Sequence, residues 1–297
     1  MPDTVQLSTG TGQRSSPPRP LLRYHGGKWR LAPWIVGHFP PHRVYVEPFG
    51  GAASVLLRKP RAYAEVYNDL DGQVVALFRL LRDPAQAARL IEALRLTPFA
   101  RDEWKSAYAP SADPVEAARR MIVRSFMGFG ADSINADLST GFRSNSNGSN
   151  KTPAVEWHNY PDSLARVVDR LRGVVVENRY AVEVMAQHDG PETLHYLDPP
   201  YVGATRGRNG RRRGGTYHVY RHEMDDDDHR ALAAALRGLE GMVVLSGYRS
   251  PLYDALFGDW QRVEKRALAA GARARVECLW LNPAAVAALP SRQEVLL

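Results

Sequence analysis

Two consecutive prolines, Pro199 and Pro200, close the apolar-leaning run Leu194-His195-Tyr196-Leu197-Asp198. Proline fixes φ and donates no hydrogen bond, so a strand reaching this point must stop, and the carbonyls of Asp198 and Pro199 lose ordinary ladder partners. Asp198-Pro199-Pro200-Tyr201 is therefore a rigid corner. It carries two backbone acceptors, an acceptor-only carboxylate and a phenol ring able to stack on a flat heterocycle. Taken alone, such a run need do no more than end a strand. Its chemistry suits an exocyclic aromatic amine, whose lone pair is delocalised into the ring. Acceptors that hold both N–H groups favour a pyramidal nitrogen, which can attack an electrophilic carbon held in line. A methyl group on a sulfonium is such an electrophile.

A second feature lies upstream. Residues 43–49 are β-branched and aromatic and run into Gly50-Gly51-Ala52-Ala53-Ser54, followed by the apolar stretch Val55-Leu56-Leu57-Arg58. The pattern predicts a strand, a glycine turn and a helix, with backbone N–H groups offered to a ligand at the turn. A further strand over 62–67 ends in Asn68-Asp69. An acid about 20 residues beyond such a turn is where nucleoside-binding α/β folds hold ribose hydroxyls. Asp69 suits that role, although it suits capping the helix predicted over 72–81 equally well.

Helical periodicity then runs from Pro84 to about Val123, with Ala87, Leu90, Ile91 and Leu94 on one face and Val115, Ala118, Met121 and Ile122 on another. It leads into a long polar segment, 126–153, in which Arg143, Asn145 and Lys151, with Arg124 just ahead of it, are candidates for contact with nucleic acid. Strand and helix alternate again afterwards: a helix over 162–171, a strand over 174–177, a helix over 181–187 and the strand over 194–197. Residues 205–215 place Arg206, Arg208, Arg211, Arg212 and Arg213 among glycines, a composition that suits a phosphate backbone. The acidic run 223–229 reads as the capped start of a helix over 230–239 rather than as a metal site. A strand over 242–245, a short helix over 251–257 and a hairpin from 262–266 and 276–281 complete about seven strands.

Length and charge are consistent with this outline. The 297 residues suit one α/β catalytic domain with an insertion, here 21–83 and 172–297 around 84–171, behind a polar leader over 1–20 expected to be disordered. Lys and Arg number 39 against 32 Asp and Glu, an excess that permits a polyanionic partner. Arginine dominates that excess, which codon bias explains as readily as a preference for guanidinium forks. A single cysteine, Cys278, excludes disulfide scaffolds and thiolate metal clusters, and no metal site is expected. With no membrane-length apolar stretch, the expectation is a cytoplasmic protein with no obligate protein partner, a monomer sufficing.

Four motifs in one order then become familiar: Arg23-Tyr24-His25-Gly26-Gly27-Lys28, Glu47-Pro48-Phe49-Gly50-Gly51, Asn68-Asp69 and Asp198-Pro199-Pro200-Tyr201. Over 21–281 the chain resembles the Dam-type, D12-class DNA adenine methyltransferases, whose target-recognition insertion lies between the cofactor half and the catalytic motif. The resemblance implies a Rossmann-like seven-stranded methyltransferase fold with a mostly helical insertion, S-adenosyl-L-methionine as donor, and adenine in double-stranded DNA as acceptor. It implies donor contacts from Tyr24, Gly26, Gly27, Lys28, Glu47, Phe49, Gly50, Gly51 and Asp69, with Asp198 bridging donor and target. Asp198, Pro199, Pro200 and Tyr201 would form the catalytic corner, receiving an adenine flipped from the stack. Tyr24 stands where the family commonly has Trp, and His25 where it has a small residue. Cytosine N4 is an alternative acceptor for the same corner, and a non-catalytic DNA-binding homologue is the alternative from another class. A restriction partner, a phage genome and an orphan host enzyme are all compatible settings.

Overall fold

The computed structural model describes residues 16–137, 140–145, 152–205, 222–268 and 274–290. Short runs rich in valine and aromatic residues form the sheet: β1 (Val44–Glu47), β2 (Ala64–Asn68), β3 (Val174–Glu177), β4 (Thr193–Leu197), β5 (Met242–Gly247), β6 (Gln261–Leu268) and β7 (Ala274–Leu281). Their order is β3-β2-β1-β4-β5-β7-β6. The first five are mutually parallel, and β7 enters antiparallel between β5 and β6. This is a Rossmann-like α/β sheet of seven strands, as expected.

Both faces of the sheet are covered, and the strands show it by alternation. Leu194, Tyr196, Met242, Val244, Leu279 and Leu281 pack into the larger apolar cluster, whereas Leu197, Val243, Leu245, Cys278 and Trp280 pack into the other. The second cluster is completed by α8 (Ala181–Gln187), α9 (Asp226–Arg237) and α10 (Pro251–Leu256). The first is covered by α1 (Ala32–Val36), α2 (Gly72–Leu81) and the helical stretch α3 (Pro84–Leu96), α4 (Arg101–Ser106), α5 (Pro114–Met127), α6 (Pro153–His158) and α7 (Pro161–Leu171). A last helix, α11 (Pro283–Ala287), follows β7.

Helix starts follow local chemistry. Asp71, Asp83 and Asp113 cap α2, α3 and α5 by accepting backbone N–H groups, with proline in the first turn of α3 and α5. The acidic run ahead of α9 is a capping box: Asp225 accepts from Asp227 and Asp228 while the Asp228 carboxylate accepts from the Asp225 backbone. The helical stretch does not form a separate core. Its Leu90, Trp104, Ile122 and Leu164 share one cluster with Tyr45 and Tyr196 of the sheet. Arg170 of α7 donates to both oxygens of Glu65 on β2, at 2.6 and 2.9 Å.

Two expectations are corrected. Residues 52–58 make turns rather than a helix, because Gly51 and Ala53 sit at φ 47° and 51° and the Leu56 N–H turns away to the Glu47 carboxylate. Residues 16–20, expected to belong to a disordered leader, pack against the fold: Pro17 is buried and the Arg19 guanidinium donates to the Glu156 carbonyl at 2.7 Å, while residues 1–15 lie outside the described residues.

Candidate active site

In the parallel part of the sheet the chain runs outward from β1 to β2 and β3 on one side, and from β4 to β5 on the other. The boundary between β1 and β4 is a topological switch point, where connections diverge and leave a crevice beyond the carboxyl ends of the strands. Three of the four motifs sit at such ends, Glu47 to Gly51 at β1, Asp69 after β2 and Asp198 after β4, and the fourth, Arg23 to Lys28, precedes α1. A cleft of about 340 Å³ opens there. It is lined by Tyr24, Gly26, Gly27, Lys28, Glu47, Phe49, Gly50, Gly51, Asp69, Asp198 and Pro200. Four segments separated by as much as 176 positions in the chain thus share one wall (Tyr24 and Pro200 being the extremes).

The glycine turn is built for close approach. The Gly50 N–H donates to the Asn68 carbonyl at 2.8 Å, and a Cβ on Gly50 would stand 2.2 Å from the Tyr67 ring. A Cβ on Gly51 would stand 2.9 Å from the Tyr24 ring. The Gly51 N–H donates to Asp69 Oδ2 at 2.7 Å and the Asp71 N–H to Asp69 Oδ1 at 2.8 Å. Asp71 is the residue that caps α2, and Asp69 lines the cleft. Each of its oxygens keeps a lone pair for a further donor. Burial raises the Asp69 carboxyl, against the pull of those two amides. Asn68 clasps the cleft floor, donating to the carbonyls of Pro48 and Arg179 and accepting the Arg179 N–H.

Glu47 is buried, and both of its hydrogen bonds fall on one oxygen: Oε2 accepts the Tyr45 hydroxyl at 2.6 Å and the Leu56 N–H at 2.9 Å. Burial pushes its carboxyl up to about 8 despite these donors. Asp198 is also held through one oxygen. Oδ1 accepts the Ser246 hydroxyl at 2.7 Å and lies 2.9 Å from Lys28 Nζ. Among the described residues Oδ2 accepts no hydrogen bond, so the orientation is set through Oδ1 and the second oxygen stays available. Pro199 and Tyr201 are not among the residues lining the cleft. Tyr201 packs behind the corner: its hydroxyl donates to Glu277, Lys28 Nζ lies 4.7 Å from its ring centroid, and Tyr248 meets it edge-on.

The expected DNA-contacting residues fare differently. Arg124 is corrected: it is 6 % exposed and donates inward to the carbonyls of Ala107 and Ile134, bracing the helical stretch. Arg143 donates to the Phe126 carbonyl and pairs with Glu156 at 3.2 Å, and Asn145 is exposed. Lys151, Arg206, Arg208, Arg211, Arg212 and Arg213 lie outside the described residues. Sequence reasoning missed Ser246, Glu277, Arg179, Tyr180 and Met224. Ser246 and Glu277 belong to strands whose apolar character hides them, and the other three line the cleft from connections with no recognisable motif.

A seven-stranded sheet with one antiparallel strand inserted next to its edge, and a cleft at its switch point that joins the glycine turn, Asp69 and Asp198, make a Rossmann-like methyltransferase fold. The D12 class N6 adenine-specific DNA methyltransferase family matches residues 24–268, and the chain belongs to that family. It is therefore an enzyme that methylates adenine N6 in DNA, which sets aside cytosine as the acceptor. No curated protein matches the chain. Among the described residues no helix is long and apolar enough to cross a membrane.

Proposed function

We propose that the methyl donor is S-adenosyl-L-methionine and that the acceptor is an adenine flipped out of double-stranded DNA into the Asp198 corner. The observation that carries this reading is the meeting of Asp69, the Gly50-Gly51 turn and Asp198 in one cleft. Its volume falls in the range of small-molecule sites, about 300–1,000 Å³. The donor set also fits a nucleoside sulfonium: Asp69 for ribose hydroxyls, the glycine backbone and Tyr24 beside it, Glu47 deeper, and Phe49 supplying apolar surface. When bound, the donor supplies an electrophilic methyl group that needs neither metal nor redox chemistry.

The chain's residues then act on the base. Asp198 Oδ2 accepts one N–H of the adenine amine and the Pro199 carbonyl the other, which localises the nitrogen lone pair toward the cleft. Ser246 and Lys28 keep the carboxylate from turning. The N–C bond would form as the methyl–sulfur bond breaks, its electron pair staying on sulfur as a neutral thioether, and the amine sheds a proton along its hydrogen bond to Asp198. Extracting the base costs about a few kcal/mol of stacking and pairing, regained in part by these contacts. Residues 84–171, with Arg143 and Asn145, and the arginine-rich segment 205–215 are the surfaces proposed to hold DNA.

Asp198→Ala tests the reading. Purified variant and wild type are given tritiated donor and duplex DNA, and nucleosides are resolved by mass spectrometry. The wild type should yield N6-methyladenine, and the folded variant no incorporated label; full activity in Asp198→Ala would refute the assigned role.

A further inference from the structure

We propose that Glu277 is a positioning residue for methyl transfer: from β7 it anchors the Tyr201 hydroxyl and shares the Lys28 ammonium with Asp198, setting how Asp198 meets the target amine. The inference rests on the reading of Asp198 given above. Glu277 lies in the run Val276-Glu277-Cys278-Leu279-Trp280-Leu281, whose last four residues are fully buried apolar packing. An acid at 3 % exposure in such a strand is costly unless its partners require it. Those partners are the catalytic corner. Tyr201 donates its hydroxyl to Oε1, and Lys28 Nζ lies 3.7 Å from the same oxygen, while remaining 2.9 Å from Asp198 Oδ1 and 2.8 Å from the Gly26 carbonyl.

One ammonium therefore serves two carboxylates, Glu277 buried and Asp198 partly exposed to the cleft. With Glu277 ionised, Lys28 is drawn partly off Asp198, and the Asp198 charge remains for the amine. With Glu277 protonated, the lysine answers to Asp198 alone, and the charge that organises the amine is neutralised. Burial raises the Glu277 carboxyl and Lys28 opposes the rise, so the switch falls above the usual carboxylate range. The other groups around it are Asp198, Tyr201 and Tyr196 from the β4 side, Tyr248 after β5, Cys278 beside it, and Lys265, its register partner on β6. The tyrosines have hydroxyls that burial holds protonated, and Glu47, whose carboxyl burial also raises, bonds to Tyr45 and Leu56 rather than to Lys28, so Glu277 is the acid that shares the ammonium with Asp198.

The test is the pH profile of single-turnover transfer to duplex DNA. The wild-type rate should fall on an acid limb above the ordinary carboxylate range. Glu277→Gln should lose that limb and lower kcat by about ten- to a hundredfold, the cost of one charge-assisted contact, with KM for DNA and donor changed less than about twofold. Glu277→Asp should restore the limb at a reduced rate. A folded Glu277→Gln with wild-type kcat and profile would overturn the proposal, as would a loss confined to KM. If thermal melting shows that neither variant folds, a wild-type profile without the limb overturns it and one with the limb supports it. Asp198→Ala run alongside separates the two readings. If it is active, the role of Asp198 fails and takes this inference with it; if it is inactive and Glu277→Gln is unchanged, the inference alone fails.

Discussion

Glu47→Gln isolates the cost of placing an acid beneath the cleft. Glu47 is 2 % exposed, and its carboxyl is raised from 4.5 to about 8. Because Oε2 accepts both the Tyr45 hydroxyl and the Leu56 N–H, the neutral acid can carry its proton on Oε1 without losing either bond. Glutamine presents the same carbonyl oxygen to both donors and cannot ionise. The folded state holds the proton to a higher pH than the unfolded chain. The stability that this contributes is complete below the unfolded value, declines as the unfolded chain ionises, and is gone once pH passes the folded value. A displacement of that size corresponds to at most about 5 kcal/mol, with a slope near 1.4 kcal/mol per pH unit at its steepest. The stability of Glu47→Gln relative to wild type should therefore be lowest near about pH 5 and climb by about 2–5 kcal/mol to a plateau above about pH 8. Urea unfolding followed by tryptophan fluorescence at four or five pH values measures the difference directly. A difference that stays flat, or falls as pH rises, would show that Glu47 is not held neutral and would refute the argument.

Gly51→Ala forces a Cβ to 2.9 Å from the Tyr24 ring at φ 47°, so donor affinity measured by calorimetry should weaken by about tenfold or more; an unchanged affinity would remove the glycine turn from the donor site. Arg170→Ala strips Glu65 of a bidentate partner inside the fold and leaves it to Lys59, at 2.7 Å, and the Ala62 N–H, at 3.1 Å. It should cost about 3–5 kcal/mol in urea unfolding, and a loss below about 1 kcal/mol would contradict the structural weight given to that pair.

Local chemistry carried most of the architecture. Valine and aromatic runs marked the strands, and the acidic run over 223–229 marked a capped helix start, because these signals act within one or two turns of chain. The turn after Gly51 escaped this reading. Val55 to Arg58 have helical composition, but the Leu56 N–H is claimed by Glu47, nine residues away in a strand. Asp69 was ambiguous for a related reason: two aspartates, Asp69 and Asp71, precede α2, and only their placement shows that Asp71 takes the cap. Arg124 was misjudged because composition cannot tell a guanidinium aimed at solvent from one spent on the carbonyls of Ala107 and Ile134.

The amino-acid sequence alone determined the strand that must end at Pro199, the glycine turn after β1 and the order of four motifs, since each depends on backbone restrictions of residues adjacent in the chain. Tertiary structure decided which carboxylate oxygen is held and which is available. Asp198 is oriented by Ser246 and Lys28, and Lys28 is in turn shared with Glu277. These partners come from β5, the segment before α1, and β7, and parallel strand pairing with one antiparallel insertion brings them together at one end of the sheet. Electrostatic partnership depends on distance in space, and spacing along the chain carries no record of it.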